Sequence, residues 1–95
     1  MSISKHKGYH TLKLLIEAKK LTQFNQIFEH IPPTVVNKDL GINYARFNKL
    51  RERVQGFKLQ ELYSMSYLIG VEEIAILELA HNEYMAKKKT IRKKQ

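Results

Sequence analysis

Residues 39–54 read DLGINYARFNKLRERV. Gly41 separates two apolar patterns of helical spacing, and the second is studded with arginine, lysine and asparagine. Glycine takes φ > 0 without a Cβ penalty, so Gly41 is the natural stop for the helix before it. Asn43 is a good N-cap, which predicts a helix over 44–54. Only Gly41, Ile42 and Asn43 then lie between the two helices. At 100° per residue, Phe47, Leu50 and Val54 fall within a sector of about 60°. The opposite face carries Tyr44, Ala45, Asn48, Lys49 and Glu52, with Arg46, Arg51 and Arg53 on the flanks. One side packs and the other offers hydrogen-bond donors.

Outward from this stretch, apolar residues keep helical spacing and no segment shows the period-2 alternation of a half-buried strand. The chain therefore reads as all-α. Tyr9, Leu12, Leu15 and Ile16 share one side of a first helix that follows Gly8. Thr22 is placed to cap a short second helix with Phe24, Ile27 and Phe28 inward. Pro32 and Pro33 end it, since the residue before a proline is pushed out of the α region. Thr34 is then the expected N-cap of a third helix carrying Val35, Val36 and Leu40. After Gly56, a fifth helix spans about Lys58 to Ile69 with Leu59, Leu62, Met65, Ser66 and Ile69 inward. Gly70 closes that helix, and Glu72-Glu73 open a sixth toward Met85, acids being favoured at a helix N-terminus. The sequence predicts one compact bundle of about five to six short helices, as 95 residues are enough for one core. Residues 1–86 form the domain, and residues 87–95 read as a basic flexible tail.

Two helices joined by about three residues around a glycine are the pattern of a helix-turn-helix, in which the second helix projects as a ridge. That geometry needs Val36, Leu40, Ile42, Phe47 and Leu50 to face the core, and each is apolar. Residues 34–71 resemble the helix-turn-helix core of phage-repressor-like (Cro-type) DNA-binding domains. The downstream segment LQELYSMSYLIGV, residues 59–71, is similar to the family's segment after the recognition helix, with Leu62, Met65, Ile69, Gly70 and Val71 matching. Asn37 departs from the pattern, standing where the family has a small residue against the turn. Ser66 replaces its alanine.

The resemblance implies a lambda-repressor-like fold that binds double-stranded DNA and regulates transcription. The third helix would brace across phosphates while helix 44–54 enters the major groove. Carried over by position, base readout falls to Tyr44, Ala45, Asn48 and Lys49, with Asn43 at the rim. The chemistry suits them: Asn pairs bidentately with adenine, Lys reaches guanine O6 and N7, and an Ala methyl meets the thymine methyl. Phosphate contacts fall to Thr34, Lys38, Arg46, Arg53 and Lys58.

The distribution of charge agrees with an anionic partner. The net charge is +8, but residues 59–86 hold five Glu and no Lys or Arg, while 34–58 hold six basic residues against two acids. Residues 87–95 add six basic residues and no acid. A polyanion would meet the segment around the quoted stretch and the tail, and avoid 59–86. No apolar run approaches the roughly 20 residues of a membrane span. The N-terminus MSISKHKGYH lacks the apolar middle of a secretory signal. A cytoplasmic protein is expected. The chain has no cysteine, so neither disulfide nor thiolate chemistry is available to it. No phosphate-cradling glycine loop, nucleophile elbow or carboxylate pair points to an enzyme. No cofactor or small-molecule ligand is implied. His6 and His10 stand at i, i+4, a metal-chelating spacing on a helix, yet no acid or thiolate lies near them in sequence.

The last helix, 72–86, carries apolar residues on two sides: Ile74, Leu77, Tyr84 and Met85 on one, Ile76 and Leu79 on the other. A helix apolar on both sides buries both. Two readings fit: Ile76 and Leu79 form a homodimer seam that sets half-site spacing on DNA, or a longer N-terminal helix covers them. A rival to DNA binding starts from the same helix, as the docking surface of a helical adaptor or antitoxin-like interaction module.

Overall fold

The computed structural model describes residues 6–93, with side chains through residue 88. The described residues form five α-helices and two short 3₁₀ helices, with no strand, so the all-α expectation holds. Helix α1 spans Lys7–Glu17, and a 3₁₀ helix spans Phe24–Glu29. Helices α2 (Pro33–Leu40) and α3 (Tyr44–Glu52) follow. A second 3₁₀ helix at Val54–Gly56 leads to α4 (Leu59–Ile69) and α5 (Glu73–Lys93).

Several helix starts differ from the expected ones. Gly8 lies in the first turn of α1 and is buried, where the His6 Nδ1 accepts its backbone N–H at 2.8 Å. A Cβ on Gly8 would stand 2.8 Å from the His30 carbonyl oxygen and 2.9 Å from the Ile31 Cβ. Glycine is needed there for close approach, not to stop a helix. Thr22 does not cap the first 3₁₀ helix. Gln26 folds back instead, and its side-chain oxygen accepts the N–H groups of Thr22 and Gln23 at 2.7 and 3.0 Å. Helix α2 begins one residue before Thr34, with Pro32 as N-cap and Pro33 at the first position, whose missing N–H costs nothing there. Thr34 is thus an exposed residue of the first turn.

The turn between α2 and α3 follows the sequence closely. Gly41 has φ 72°. Its N–H donates to the Lys38 carbonyl at 3.1 Å and that of Ile42 to the Asn37 carbonyl at 2.9 Å, the two-bond closure of a left-handed helix end. Asn37 is buried, and its side-chain amide donates to the Ile42 carbonyl at 3.0 Å. The polar residue at this packed position satisfies itself by bonding across the turn, so it fastens α2 to the chain entering α3. Asn43 caps α3, its side-chain oxygen accepting the Arg46 N–H at 3.2 Å. Helix α1 ends in the same left-handed manner, but with Lys19 at φ 59° in the place glycine usually takes.

Helix α3 stops at Glu52, two residues short of expectation, and Val54 turns inward through the second 3₁₀ helix. The core beneath it is aromatic. Phe28 and Phe57 each pack edge-on against Phe47, at 5.6 and 6.0 Å between ring centroids, and Phe24 touches both of them. Each such pair contributes about 0.5–1.5 kcal/mol beyond its buried area. Tyr9 is also buried, and its hydroxyl donates to Asp39 Oδ2 at 2.7 Å, joining α1 to α2. Burial, then the Asp39 bond, pushes the Tyr9 phenol above its ordinary range.

The expected homodimer seam is corrected by this core. Ile76 and Leu79 are 0% and 4% exposed within the single chain, packed beside Ala80. The physical reason is the stripe at positions 76, 79, 80 and 83, which lies on one side of α5 and faces the 3₁₀ helices and α4. On the side expected to pack, Leu77 and Tyr84 are partly buried against the core, while Ile74 and Met85 are exposed. Helix α5 also continues past Ala86 to Lys93, so residues 87–93 extend the helix. Residues 94 and 95 of the expected tail lie outside the described residues.

Candidate functional site

Helix α3 is fixed to the body at both ends by polar contacts. At its start, the Arg46 guanidinium grips the Glu61 carboxylate with two bonds of 2.7 and 3.2 Å, and Glu61 also accepts the Lys58 N–H at 2.8 Å. The Arg46 bond holds the Glu61 carboxyl below the usual carboxylate range and raises the Arg46 guanidinium in turn. At its end, the Asn25 side-chain amide donates to the Arg51 carbonyl at 2.7 Å and Lys87 Nζ to the Glu52 carbonyl at 2.7 Å. These two bonds satisfy carbonyls that a helix C-terminus leaves without intrahelical partners.

A second contact layer holds those partners. Glu83 is 1% exposed on α5, and its carboxylate accepts the Asn25 backbone N–H at 2.7 Å and the Asn25 side-chain amide at 2.5 Å. Lys87 Nζ stands 3.5 Å from the same carboxylate. A buried carboxylate without partners is costly, and here its oxygens are bonded at the start of the first 3₁₀ helix. Asn25, Glu83 and Lys87 thus form one node that braces the C-terminal end of α3.

Between these anchors, Tyr44, Ala45, Lys49, Glu52 and Arg53 are exposed. Tyr44, Ala45, Lys49 and Glu52 occupy the face opposite Phe47 and Leu50, as the periodicity requires, and Arg53 is the C-cap residue just beyond the helix. Asn43 is exposed at the rim with its side-chain oxygen spent on the cap. Two expected site residues are corrected. Asn48 is half-buried on the flank, and its side-chain oxygen accepts Arg51 Nη1 at 2.8 Å while the Arg51 guanidinium sits 5.2 Å from the Phe28 ring centroid. Its side-chain oxygen is thus engaged within the protein, and the bidentate pairing expected of it competes with that bond. Arg46 is taken by Glu61, so its charge is matched internally and it leaves the phosphate set. Thr34 and Lys38 remain exposed, four residues apart on one face of α2. Arg53 and Lys58 are exposed on either side of the second 3₁₀ helix.

Sequence reasoning missed Glu61, Asn25, Glu83 and Lys87. Only Glu83 left a local signal: it falls seven residues after Ile76, in the stripe that carries Leu79 and Ala80, where an acid must be bonded to be buried. His6 and His10 do line one cavity of about 230 Å³ with Lys7, Tyr9, Leu68 and Ile69. Among the described residues no three His, Cys, Asp or Glu side chains are grouped to hold a metal ion, and no helix is long and apolar enough to cross a membrane. Leu59, expected to face inward, is exposed at the first position of α4, where Leu59, Tyr63 and Tyr67 recur at four-residue spacing. Comparison with protein-family models, with curated proteins and with solved structures finds no match to this chain.

Proposed function

We propose that α2, the Gly41 turn and α3 work as a helix-turn-helix, and that the protein is a sequence-specific, double-stranded DNA-binding regulator of transcription acting in the cytoplasm. One observation carries the reading: α3 is anchored at both ends by side chains from other elements, while Tyr44, Ala45, Lys49 and Glu52 on its outer face, and Arg53 just after it, are exposed and take no part in that anchoring. In this reading Tyr44, Ala45 and Lys49 meet base edges, with Asn43 at the rim. Lys49 reaches guanine, and the Ala45 methyl suits thymine. Glu52 accepts from cytosine N4 or limits binding to phosphate elsewhere. Thr34, Lys38, Arg53 and Lys58 take phosphates and set the register. Two-fold pairing through Ile76 and Leu79 has no part in it, since both belong to the core.

The rival, an interaction module built on residues 72–86, has little surface to use. Within residues 73–86, the large apolar side chains that are exposed are Ile74 and Met85, about 16 Å apart along the helix at 1.5 Å per residue. In-vitro selection of bound duplexes tests the proposal. A consensus should emerge, Lys49→Ala should relax preference at one position by about 1–3 kcal/mol, and Lys58→Ala should weaken all sequences alike. No duplex enrichment, or equal losses on every sequence from both variants, defeats it.

A further inference from the structure

Helix α5 is divided by charge. Residues 73–86 carry Glu73, Glu78 and Glu83 and no Lys or Arg, whereas residues 87–93 carry Lys87, Lys88, Lys89, Arg92 and Lys93 and no acid. The change of sign falls at the node described above. Lys87 bonds the Glu52 carbonyl at the end of α3 and faces Glu83, so the acidic half packs with the body and the basic half begins beside the C-terminal end of α3. From Lys87 to Lys93 the helix advances about 9 Å at 1.5 Å per residue. Lys88 is exposed, its Nζ 5.8 Å from the Tyr84 ring centroid.

We propose that residues 87–93 of α5 are a helical arm that binds the sugar-phosphate backbone of duplex DNA beyond the end of α3, held in place by the Glu83–Asn25–Lys87 node. This rests on the DNA-binding reading above and adds a second contact surface to it. A helix presents its cations at fixed intervals and has already lost the chain entropy that a flexible tail gives up on binding. The arm adds affinity and footprint length without sequence preference, because phosphate contacts carry no base information.

Equilibrium binding of the full-length protein to a selected duplex, measured across a salt series, tests the arm. Each phosphate neutralised contributes about 0.9 to the slope of log K against log salt. Substituting Lys88→Gln, Lys89→Gln, Arg92→Gln and Lys93→Gln together should flatten that slope by about 2–3 and leave the selected consensus unchanged. Thr90→Pro keeps every charge but breaks the helix. It should lose about half of the same slope contribution, as expected for cations moved off the backbone. A wild-type slope in the four-fold variant, or in Thr90→Pro, overturns the arm, the latter because a flexible cationic tail would act equally well. Failure of the underlying reading looks different: the unmodified protein would then show no salt-dependent duplex binding at all.

Discussion

Replacing Gly41 by alanine isolates the backbone contribution of the turn. Gly41 sits at φ 72°, and a Cβ built there finds nothing within 4 Å. The substitution therefore adds no clash, and its cost is the left-handed conformation alone, about 1–2 kcal/mol for a residue with a side chain. Alanine also narrows the unfolded ensemble, which returns about 0.4–1 kcal/mol. The expected net loss is about 1 kcal/mol, or about 4–8 °C in Tm for a domain of this size. Asparagine tolerates the left-handed region better than other side chains, so Gly41→Asn should lose less than Gly41→Ala. Urea unfolding at neutral pH with matched thermal melts measures both, and an unchanged m value marks the effect as one on stability. The reasoning fails if Gly41→Ala matches the wild type, if it loses more than about 3 kcal/mol, or if the asparagine variant is the weaker of the two.

Lys19 offers the reverse test, since it is the one non-glycine described at positive φ, and Lys19→Gly should stabilise the protein by about 0.5–1 kcal/mol as the relieved strain exceeds the added chain entropy. A lower midpoint for Lys19→Gly would contradict it. The Arg46–Glu61 pair makes stability depend on acid: the native state holds Glu61 ionised below its ordinary value of 4.5, so the pair contributes above that value and is lost as pH falls through and below it. Glu61→Gln keeps an oxygen for the Lys58 N–H but no charge. Its stability deficit should accordingly shrink in urea titrations below pH 4.5, and a constant deficit across the acid limb would count against the pairing.

Local chemistry made the centre of the fold readable. Gly41, Asn43 and the Phe47–Leu50 spacing act over a few residues, and the structure follows them because short-range sterics and capping decide a three-residue turn. The helix starts at Gly8 and Pro33 were misjudged for opposite reasons. Gly8 answers to a distant contact with residues 30–31, whereas Pro33 competes locally with Thr34 for the start of α2. Helix α5 was the hardest to orient, because a helix apolar on two sides gives no intrinsic direction. The buried side carries Ile76, Leu79 and Ala80 together with Glu83, whose partner Asn25 lies 58 residues away in sequence. The same distance problem hid Arg46–Glu61, and with it the loss of Arg46 from the phosphate set. Asn48 was misplaced by about one flank width, since periodicity locates a sector and cannot show that Arg51 will fold over it.

The fastening of α3 has a consequence for how its outer face can change. The side chains that hold the helix are Arg46, Phe47 and Leu50, with Asn25 and Lys87 reaching it from elsewhere and Asn37 holding the turn before it. Tyr44, Ala45, Lys49, Glu52 and Arg53 are absent from that set. Attachment and display are thus written in different letters of the nine-residue helix and its C-cap, Arg53. A library randomised at those five positions should yield mostly folded proteins, and evolution has had the same licence: a lineage could exchange one preferred target for another without first having to rebuild its scaffold.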